Sequence, residues 1–285
     1  MNEFQVKYAN LHLHSTYSDA QLTPEQLVLI GKALGYRALA LTDHETDGGV
    51  KEFMTYAQAE GIRCLVGAEF YGKEDGVNLH LTALGYDMEN PGIRQLIRER
   101  CQLEMEYTRK CVERGIAIGA IRDLTWQDVL DMTPEGAWVC IDSVINTMKL
   151  KKLTDATYDW DQFRTRVFKA PETKAFKAPM PTAREVISLV RNTGGIVALA
   201  HPKNQTHLVG KLVDYGLNGI EICHPSLDGE QSRLAEEAAA TYRLYRCGGT
   251  DHTGPMSGCG GKLAIPAFQG VDEEAFEAIL NRKLG

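Results

Sequence analysis

The stretch Asn10-Leu11-His12-Leu13-His14-Ser15 determines how the rest of the chain is interpreted. In an extended strand, residues two apart point to the same face, so His12 and His14 project together while Leu11 and Leu13 face the packed side. Two imidazoles held side by side at the end of a buried strand supply half of a metal site. A hydrogen-bonded histidine pair on an edge strand is the alternative, and the rest of the chain must decide between the two.

The composition is typical of a globular protein that can bury a full core in one large α/β domain or two ordinary ones. The chain has 285 residues, of which 44% are hydrophobic and 24% charged. No apolar run approaches the roughly 20 residues that span a bilayer, and the N-terminus lacks the pattern of a signal peptide. Seven cysteines without a CxxC motif favour reduced thiols, so we expect a cytoplasmic protein without a membrane partner.

The net charge of −7 argues against an extended nucleic-acid surface. A small anionic substrate, held by metal ions and a few local cations, remains compatible with this charge. We therefore do not expect a long nucleic acid as the partner.

Strand and helix patterns alternate in both end segments of the chain. Strands are predicted at 8–14, 38–42, 63–70, 79–86, 195–200, 219–223 and 246–249. Helices are predicted at 23–34, 49–60, 182–192, 208–215, 230–245 and 272–282. Repeated βα units favour a parallel sheet, closed as a barrel or open, in which the carboxyl ends of the strands converge on one face.

Residues 87–181 interrupt this alternation. A long charged helix is predicted at 91–114 and a short one at 126–132, whereas 149–181 combines lysines, aromatics and prolines without a clear period. We interpret 87–181 as an inserted, mainly helical cap, with 1–86 and 182–285 forming the α/β part. A long decorated loop is the alternative, which is uncommon at this length.

Seven of the eight histidines lie beside predicted strand ends, together with acidic residues. The set comprises His12, His14, Asp19, Asp43, His44, Glu69, His80, His201, His224, Asp251 and His252. Individually, Asp43 could cap a turn, Glu221 could form a buried ion pair and His80 could be a packed core imidazole. As a set they favour a centre of two or three Mn, Fe or Zn ions, which activates water as hydroxide and holds phosphoryl oxygens.

An ordered series of short motifs resembles the polymerase and histidinol phosphatase (PHP) family of metal-dependent phosphoesterases. The motifs are HLHS (12–15), Asp19, TDH (42–44), GAE (67–69), His80, AHP (200–202) and GGTD (248–251). The resemblance covers 8–86 and 182–285. It implies a distorted (β/α)7 barrel with the metals at the carboxyl ends of the strands.

The resemblance also implies a ligand set. One metal would be held by His12, His14, Glu69 and Asp251, a second by Asp19, His44 and the bridging Glu69, and a third by His80 and His201. The insertion resembles the branch of the family that acts on nucleoside 3′,5′-bisphosphates and the 5′ ends of short RNAs. The expected reaction is hydrolysis of a phosphate ester by a metal-bridging hydroxide, with Glu69, Asp251 and His224 as the catalytic candidates.

The last motif departs from the family pattern. That pattern is Gly-Ser-Asp-x-His, whereas this chain has Gly249-Thr250-Asp251-His252-Thr253, so Thr253 occupies the usual histidine position. Either His252 turns inward as a replacement ligand, or the third site is weak or empty. We expect the weaker third site.

Substrate contacts are predicted for Lys203, which follows His201-Pro202, and for His224, which could donate to a phosphate or a leaving group. Lys174 and Lys177 could reach the site from the insertion, although solvated surface lysines are equally expected. His224 could equally act only by orienting a metal ligand.

Three other functions remain alternatives. The first is a phosphomonoesterase of a small metabolite such as histidinol phosphate. The second is a non-catalytic, metal-bound interaction domain. The third is a C–N hydrolase on a similar barrel, which ranks last because Glu69 stands where such enzymes commonly use a carboxylated lysine.

Overall fold

The computed structural model describes residues 7–154, 157–252 and 269–282. Within these ranges, two sheets contain the strands β1 (Ala9–Asn10), β2 (Ala38–Ala40), β3 (Arg63–Leu65), β4 (Gly67–Glu74), β5 (Val77–Leu84), β6 (Ile196–Leu199), β7 (Gly219–Cys223) and β8 (Tyr245–Gly248). All these strands lie in the two end segments that were predicted to be α/β.

The described α-helices are α1 (Pro24–Ala33), α2 (Val50–Ala59), α3 (Pro91–Ala117), α4 (Trp126–Asp131), α5 (Ile141–Leu150), α6 (Trp160–Val167), α7 (Ala183–Asn192), α8 (Val209–Asp214), α9 (Gly229–Tyr242) and α10 (Glu273–Asn281). Short 3-10 helices lie at Pro171–Phe176 and Lys203–Leu208. Local sequence explains several helix starts: Thr23 and Thr182 cap α1 and α7 in reciprocal capping boxes with Gln26 and Glu185. None of the described helices is both long and apolar enough to cross a membrane.

The first sheet has the order β1-β2-β3, with both pairs parallel, and the second has the order β4-β5-β6-β7-β8. In the second sheet β6-β7-β8 is parallel, whereas β4-β5 and β5-β6 are antiparallel. The α/β class is confirmed, but the expectation of a parallel sheet is wrong at β4-β5-β6. The cause is the Asp75-Gly76 turn, where φ is 48° and 80°, because positive φ at both central residues suits a tight hairpin.

Backbone hydrogen bonds join the two sheets at both edges. Beside β1, the Leu11 N–H donates to the Gly248 carbonyl (3.1 Å) and the Asp251 N–H to the His12 carbonyl (2.9 Å). Beyond β2, the Glu69 N–H donates to the Asp43 carbonyl (3.0 Å). These bonds bring the segments after β1, β2 and β8 beside β4, so their polar side chains meet.

The described part of residues 87–181 is helical in its regular elements and packs around its own hydrophobic cluster. That cluster joins α3, α4, α5 and α6 through residues such as Cys111, Val129, Val144 and Phe163. The α/β part has separate clusters, one of which covers β4-β5-β6 with α7. Residues 87–181 therefore contain a hydrophobic cluster of their own, while Ile93 and Ile97 at the start of α3 belong to the cluster of β4-β5-β6.

Candidate metal centre

Glu69 lies at the centre of the polar cluster, fully buried on β4. Its Oε2 atom faces three imidazoles: His12 Nε2 at 3.3 Å, His14 Nε2 at 3.4 Å and His44 Nδ1 at 3.0 Å. Its Oε1 atom faces two others, His80 Nδ1 at 3.0 Å and His201 Nε2 at 3.2 Å. One carboxylate thus separates two sets of histidines, as a bridging ligand would.

Asp251 supplies a second carboxylate to the same cluster. Its Oδ1 atom lies 3.0 Å from His14 Nε2 and 3.6 Å from His12 Nε2. The residue has a left-handed backbone, with φ of 50°, just beyond β8. This turn places the carboxylate over the pair of histidines that follows β1.

Asp19 supplies a third carboxylate from the loop after β1. Its two oxygens lie 3.6 Å from His14 Nδ1 and 3.9 Å from His44 Nε2. Asp43, by contrast, fixes this loop: it accepts hydrogen bonds from the Ser15 N–H (2.7 Å), the Ser15 hydroxyl (2.6 Å) and the Ser18 hydroxyl (2.5 Å).

Among the described residues, four groups bring three potential ligand atoms within 4.8 Å of one another: His12, His14 and Asp251; His14, His44 and Glu69; Glu69, His80 and His201; His12, Glu221 and His224.

The donor set fits divalent transition metals. The Nε2 atoms of His12 and His14 lie only 3.1 Å apart, and Glu69 Oε2 and His44 Nδ1 are buried without a well-aligned hydrogen-bond partner. A cation among these atoms would satisfy them, since buried polar groups without partners destabilise the fold. Imidazoles with carboxylates and no thiolate suit Mn, Fe or Zn.

The electrostatics of the cluster also favour cations. Burial alone would raise the pKa of the Glu69 and Asp251 carboxyls, but the surrounding imidazoles hold both pKa values well below the usual range. Burial opposes a charge on His44, yet Glu69 and Asp19 raise its pKa to about 9. The carboxylates therefore stay ionised and hold protons on nearby rings, where a metal ion would replace those protons.

Glu221, treated above only as a possible buried ion pair, is in contact with this cluster from β7. Its Oε1 atom lies 2.7 Å from His12 Nδ1, and its Oε2 atom accepts the backbone N–H of His201 at 2.7 Å. With the proton of His12 on Nδ1, the Nε2 lone pair points toward Glu69 and Asp251, ready to bind a metal. A single charged residue within the buried strand GIEIC was the signal for this role.

Comparison with known proteins identifies the family. The model of the PHP domain matches residues 10–170, more than half of the chain and including most of the predicted insertion. This chain belongs to the PHP family.

Several relatives of the PHP chain have named activities. This chain is 28% identical over 260 residues to a 5′-3′ exoribonuclease of Haemophilus influenzae, and the match covers 86% of this chain and 90% of that protein. It is 27% identical over 252 residues to a phosphoribosyl 1,2-cyclic phosphate 1,2-diphosphodiesterase of Eggerthella lenta, covering 86% and 94% of the two chains. It is 26% identical over 266 residues to a 3′,5′-nucleoside bisphosphate phosphatase of Chromobacterium violaceum, covering 87% and 88%.

A solved structure is similar over nearly the whole chain. It is described as a putative metal-dependent phosphoesterase from Bifidobacterium adolescentis, with a TM-score of 0.81, 25% identity and 99% of each chain covered. Together with the relatives, it confirms the prediction that this PHP chain is a metal-dependent phosphoric ester hydrolase.

His224 lies beside the cluster, next to Asp251. The Ser226 N–H donates to His224 Nδ1 (3.0 Å), so the ring proton is on Nε2, which lies 3.2 Å from Asp251 Oδ2. His224 thereby holds the second oxygen of Asp251 while the first faces His14.

His252 lies outside the four groups. Its backbone pairs with Leu13 as an isolated parallel bridge, and its carbonyl accepts the His14 N–H at 3.1 Å. Because the two residues are paired, the side chain of His252 points to the same face as that of Leu13, opposite to His12 and His14. There it lines a small apolar pocket with Leu13 and Leu27. The structure therefore does not place it as the replacement ligand, and Thr253 lies outside the described residues.

The three lysines predicted to contact substrate, Lys174, Lys177 and Lys203, are all exposed. The ammonium of Lys177 lies 5.3 Å from the centroid of the Tyr107 ring. None of these three described lysines forms an ion pair with Glu69, and their contacts with substrate remain predictions.

Aromatic side chains cover the outer side of His44. Tyr71, from β4, stacks on His44 with centroids 5.0 Å apart and an interplanar angle of 14°. Trp138, from the insertion, lies 5.4 Å from the His44 ring. Both were missed from the sequence. Tyr71 was missed because the strand was predicted to end at residue 70, and Trp138 because nothing in the local pattern showed that the insertion would contact this face.

The insertion also fixes the backbone beside His44. Glu45 accepts the Tyr71 N–H at 2.7 Å and the Nε–H of Arg100, from α3, at 3.2 Å. All three groups are largely buried, so this contact ties α3 to the segment that carries His44.

Proposed function

We propose that this PHP chain hydrolyses a phosphate ester of a nucleotide at a centre of two or three Mn, Fe or Zn ions. The observation that carries the proposal is the position of the Glu69 carboxylate, whose two oxygens face different histidine sets. The proposed ligands are His12, His14 and Asp251 for one ion, Asp19 and His44 for a second, and His80 and His201 for a third, with Glu69 shared.

Bound divalent ions would polarise a phosphoryl oxygen and lower the pKa of coordinated water. The chain itself contributes orientation. Glu221 fixes the proton of His12 on Nδ1, and His224 holds one oxygen of Asp251 through Nε2–H. We also propose that a substrate oxygen competes with Asp251 for this Nε2–H of His224, with Lys203 and Lys177 as contacts for phosphate.

The names of the relatives support the substrate class. Two of them, a nucleoside bisphosphate phosphatase and a phosphoribosyl cyclic phosphate diphosphodiesterase, act on a ribose that carries phosphate, and two others are exoribonucleases. We therefore propose a ribose phosphate ester, in a nucleoside bisphosphate or at the 5′ end of a short RNA, as the substrate.

The architecture that fits this proposal is the closed, distorted (β/α)7 barrel of the family, with 87–181 as a cap. The hydrogen bonds between the two sheets and the separate core of the insertion support it. The six described cysteines are free thiols, which is compatible with the proposed cytoplasmic location.

A phosphate-release screen tests the function. The panel combines nucleoside 3′,5′-bisphosphates, cyclic ribose phosphates, 5′-phosphorylated trinucleotides, mononucleotides and histidinol phosphate, each with Mn²⁺ and with EDTA. We expect metal-dependent release that is fastest with ribose phosphates. Fastest turnover of histidinol phosphate would instead favour the small-metabolite phosphomonoesterase. The absence both of phosphate release and of chromatographically detected cleavage of the cyclic phosphates and trinucleotides would contradict the proposal.

A further inference from the structure

A pocket with a volume of about 100 Å³ lies next to the metal centre, between the loop that carries Asp19 and the insertion. Ser18 and Gln21 line it from the loop, and Met132, Asn146 and Leu150 line it from α5 and the end of α4. Ser18 connects the pocket to the cluster, because its hydroxyl lies 3.3 Å from Asp19 Oδ1 and 3.5 Å from His14 Nδ1.

The apolar part of this pocket is unusually exposed. Leu150 and Met132 are 57% and 49% exposed, more than any other large hydrophobic side chain among the described residues. Both line the same pocket. Such a concentration of uncovered apolar surface next to a metal centre is typical of a surface that a ligand covers.

The polar part of the pocket is neutral. Among the described residues, its lining contains hydroxyls and amides but no charged side chain. Gln21 Nε2 donates to Asn146 Oδ1 at 3.0 Å, and Asn146 Nδ2 donates to the Ala20 carbonyl at 3.4 Å, so the amides are held in place. A phosphate would find no cation here, whereas a neutral ring with polar edges would find both apolar and hydrogen-bonding groups.

We propose that this pocket binds the nucleobase of the substrate whose phosphate lies at the metal centre. A base has two apolar faces and a polar edge, which match the exposed Met132 and Leu150 and the neutral polar lining. The volume is well below the roughly 300–1,000 Å³ of a complete small-molecule site, so the pocket holds one ring system while ribose and phosphate extend past Ser18. This inference rests on the proposed nucleotide phosphoesterase function and assigns a role to the insertion, since α5 and the end of α4 together supply more than half of the lining residues.

The test compares a nucleotide with its abasic counterpart. The double variant Met132→Ser/Leu150→Ser is assayed on adenosine 3′,5′-bisphosphate and on ribose 3,5-bisphosphate. The matched control is Met54→Ser/Leu29→Ser, because these residues are 36% and 46% exposed on α2 and α1 and lie outside the pocket. We expect the ratio of kcat/KM between the two substrates to fall about tenfold in the pocket variant, mainly through KM, and to keep its wild-type value in the control. An unchanged ratio in the pocket variant would overturn the proposal.

A binding measurement separates this proposal from the proposed reaction. Adenosine, which carries no phosphate, is titrated into wild type and both double variants, with ligand-observed NMR as the readout. Binding by wild type and the control, together with loss in the pocket variant, supports the base pocket even if no ester in the screen is hydrolysed. Equal adenosine binding by all three proteins would overturn the pocket assignment while leaving the phosphoesterase proposal intact. Sedimentation supplies a last criterion: a wild-type dimer that dissociates in the pocket variant would show that a second copy covers Leu150 and Met132.

Discussion

The two oxygens of Glu69 face unlike surroundings. On the Oε2 side, the side chains of His12, His14 and His44 are 0%, 0% and 8% exposed. On the Oε1 side, His80 and His201 are 30% and 13% exposed. The histidines on the Oε2 side are therefore buried, whereas those on the Oε1 side are partly open to solvent.

Neighbouring carboxylates hold the Oε2 side in place. His12 is anchored by Glu221 at 2.7 Å, and the loop beside His14 is held by Asp43 through Ser15 and Ser18. On the Oε1 side, the rings of His80 and His201 each contact Glu69. Among the described residues, neither ring contacts a second carboxylate. We therefore expect ions on the Oε1 side to exchange faster.

Glu69→Gln removes the carboxylate that the Oε1 side and the Oε2 side share. A neutral amide cannot hold two cations through two anionic oxygens, so turnover at saturating Mn²⁺ should fall by more than about 100-fold, beyond the 10–100-fold typical of residues that only support metal ligands. Initial rates and a thermal melt measure the effect, with an unchanged fold expected. Glu74→Gln, on the same strand with its side chain bound to the surface Lys211, is the matched control. Wild-type turnover in Glu69→Gln would exclude the bridging role.

Glu221→Gln sharpens the description of the Oε2 side. An amide N–H directed at His12 Nδ1 would move the ring proton to Nε2, the atom that faces Glu69. We expect Mn²⁺ affinity to fall by about 10–100-fold, with turnover partly restored at high metal concentration. Isothermal titration with Mn²⁺ measures this, and Glu236→Gln, an exposed partner of Arg246, is the control. Unchanged affinity would mean that Glu221 does not orient His12.

The pH dependence of metal binding should differ between the two sides. Glu69 and Asp19 raise the pKa of His44 to about 9, although burial opposes this, so metal must displace a proton below that pH. Burial lowers the pKa of His80 below its usual 6.5, and near pH 7 this ring is already neutral. Against the effect of burial, Glu221 and Glu69 also raise the pKa of His12 well above its usual value. Affinity on the Oε2 side should therefore rise at least about tenfold per pH unit between 7 and 8, with little change on the Oε1 side.

Titrations of wild type and of a His80→Ala/His201→Ala variant, which retains only the Oε2 side, separate the two contributions. The variant should keep the pH-dependent binding. If the affinity for every bound ion showed the same pH dependence, the predicted electrostatic difference between the Oε1 and Oε2 sides would be wrong.

His252→Gln should have the smallest effect. His252 lines an apolar pocket away from the cluster, so we expect metal content and turnover within about twofold of wild type. Metal counting by mass spectrometry after mild chelation provides the measurement. Loss of one ion in this variant alone would show that His252 is a ligand despite its position here.

Period-two alternation at 11–14 predicted that His12 and His14 share a face, and the strand-end positions of His44, Glu69 and Asp251 predicted that they converge. The structure places all five together. The period of two and most strand ends are readable from local sequence, and parallel pairing then brings strand ends to one face of an α/β fold. Glu69 is the exception, because it was predicted to end a strand and is instead the third residue of β4.

Other features depended on contacts that no local pattern shows. The orientation of His252 depends on its pairing with Leu13, more than 200 positions earlier, and Trp138 reaches His44 only because the insertion folds back over the site. The β4-β5 hairpin, by contrast, had a readable signal in Asp75-Gly76 that the helix–strand alternation obscured.

Anomalous diffraction from a crystal loaded with Mn²⁺ tests the central claim most directly. The account predicts separate peaks on the two sides of Glu69, each about 2.0–2.3 Å from one carboxylate oxygen, with the Oε1-side peak weaker after brief chelation. A single peak that contacts neither oxygen, or peaks confined to the group of Glu221 and His224, would contradict it.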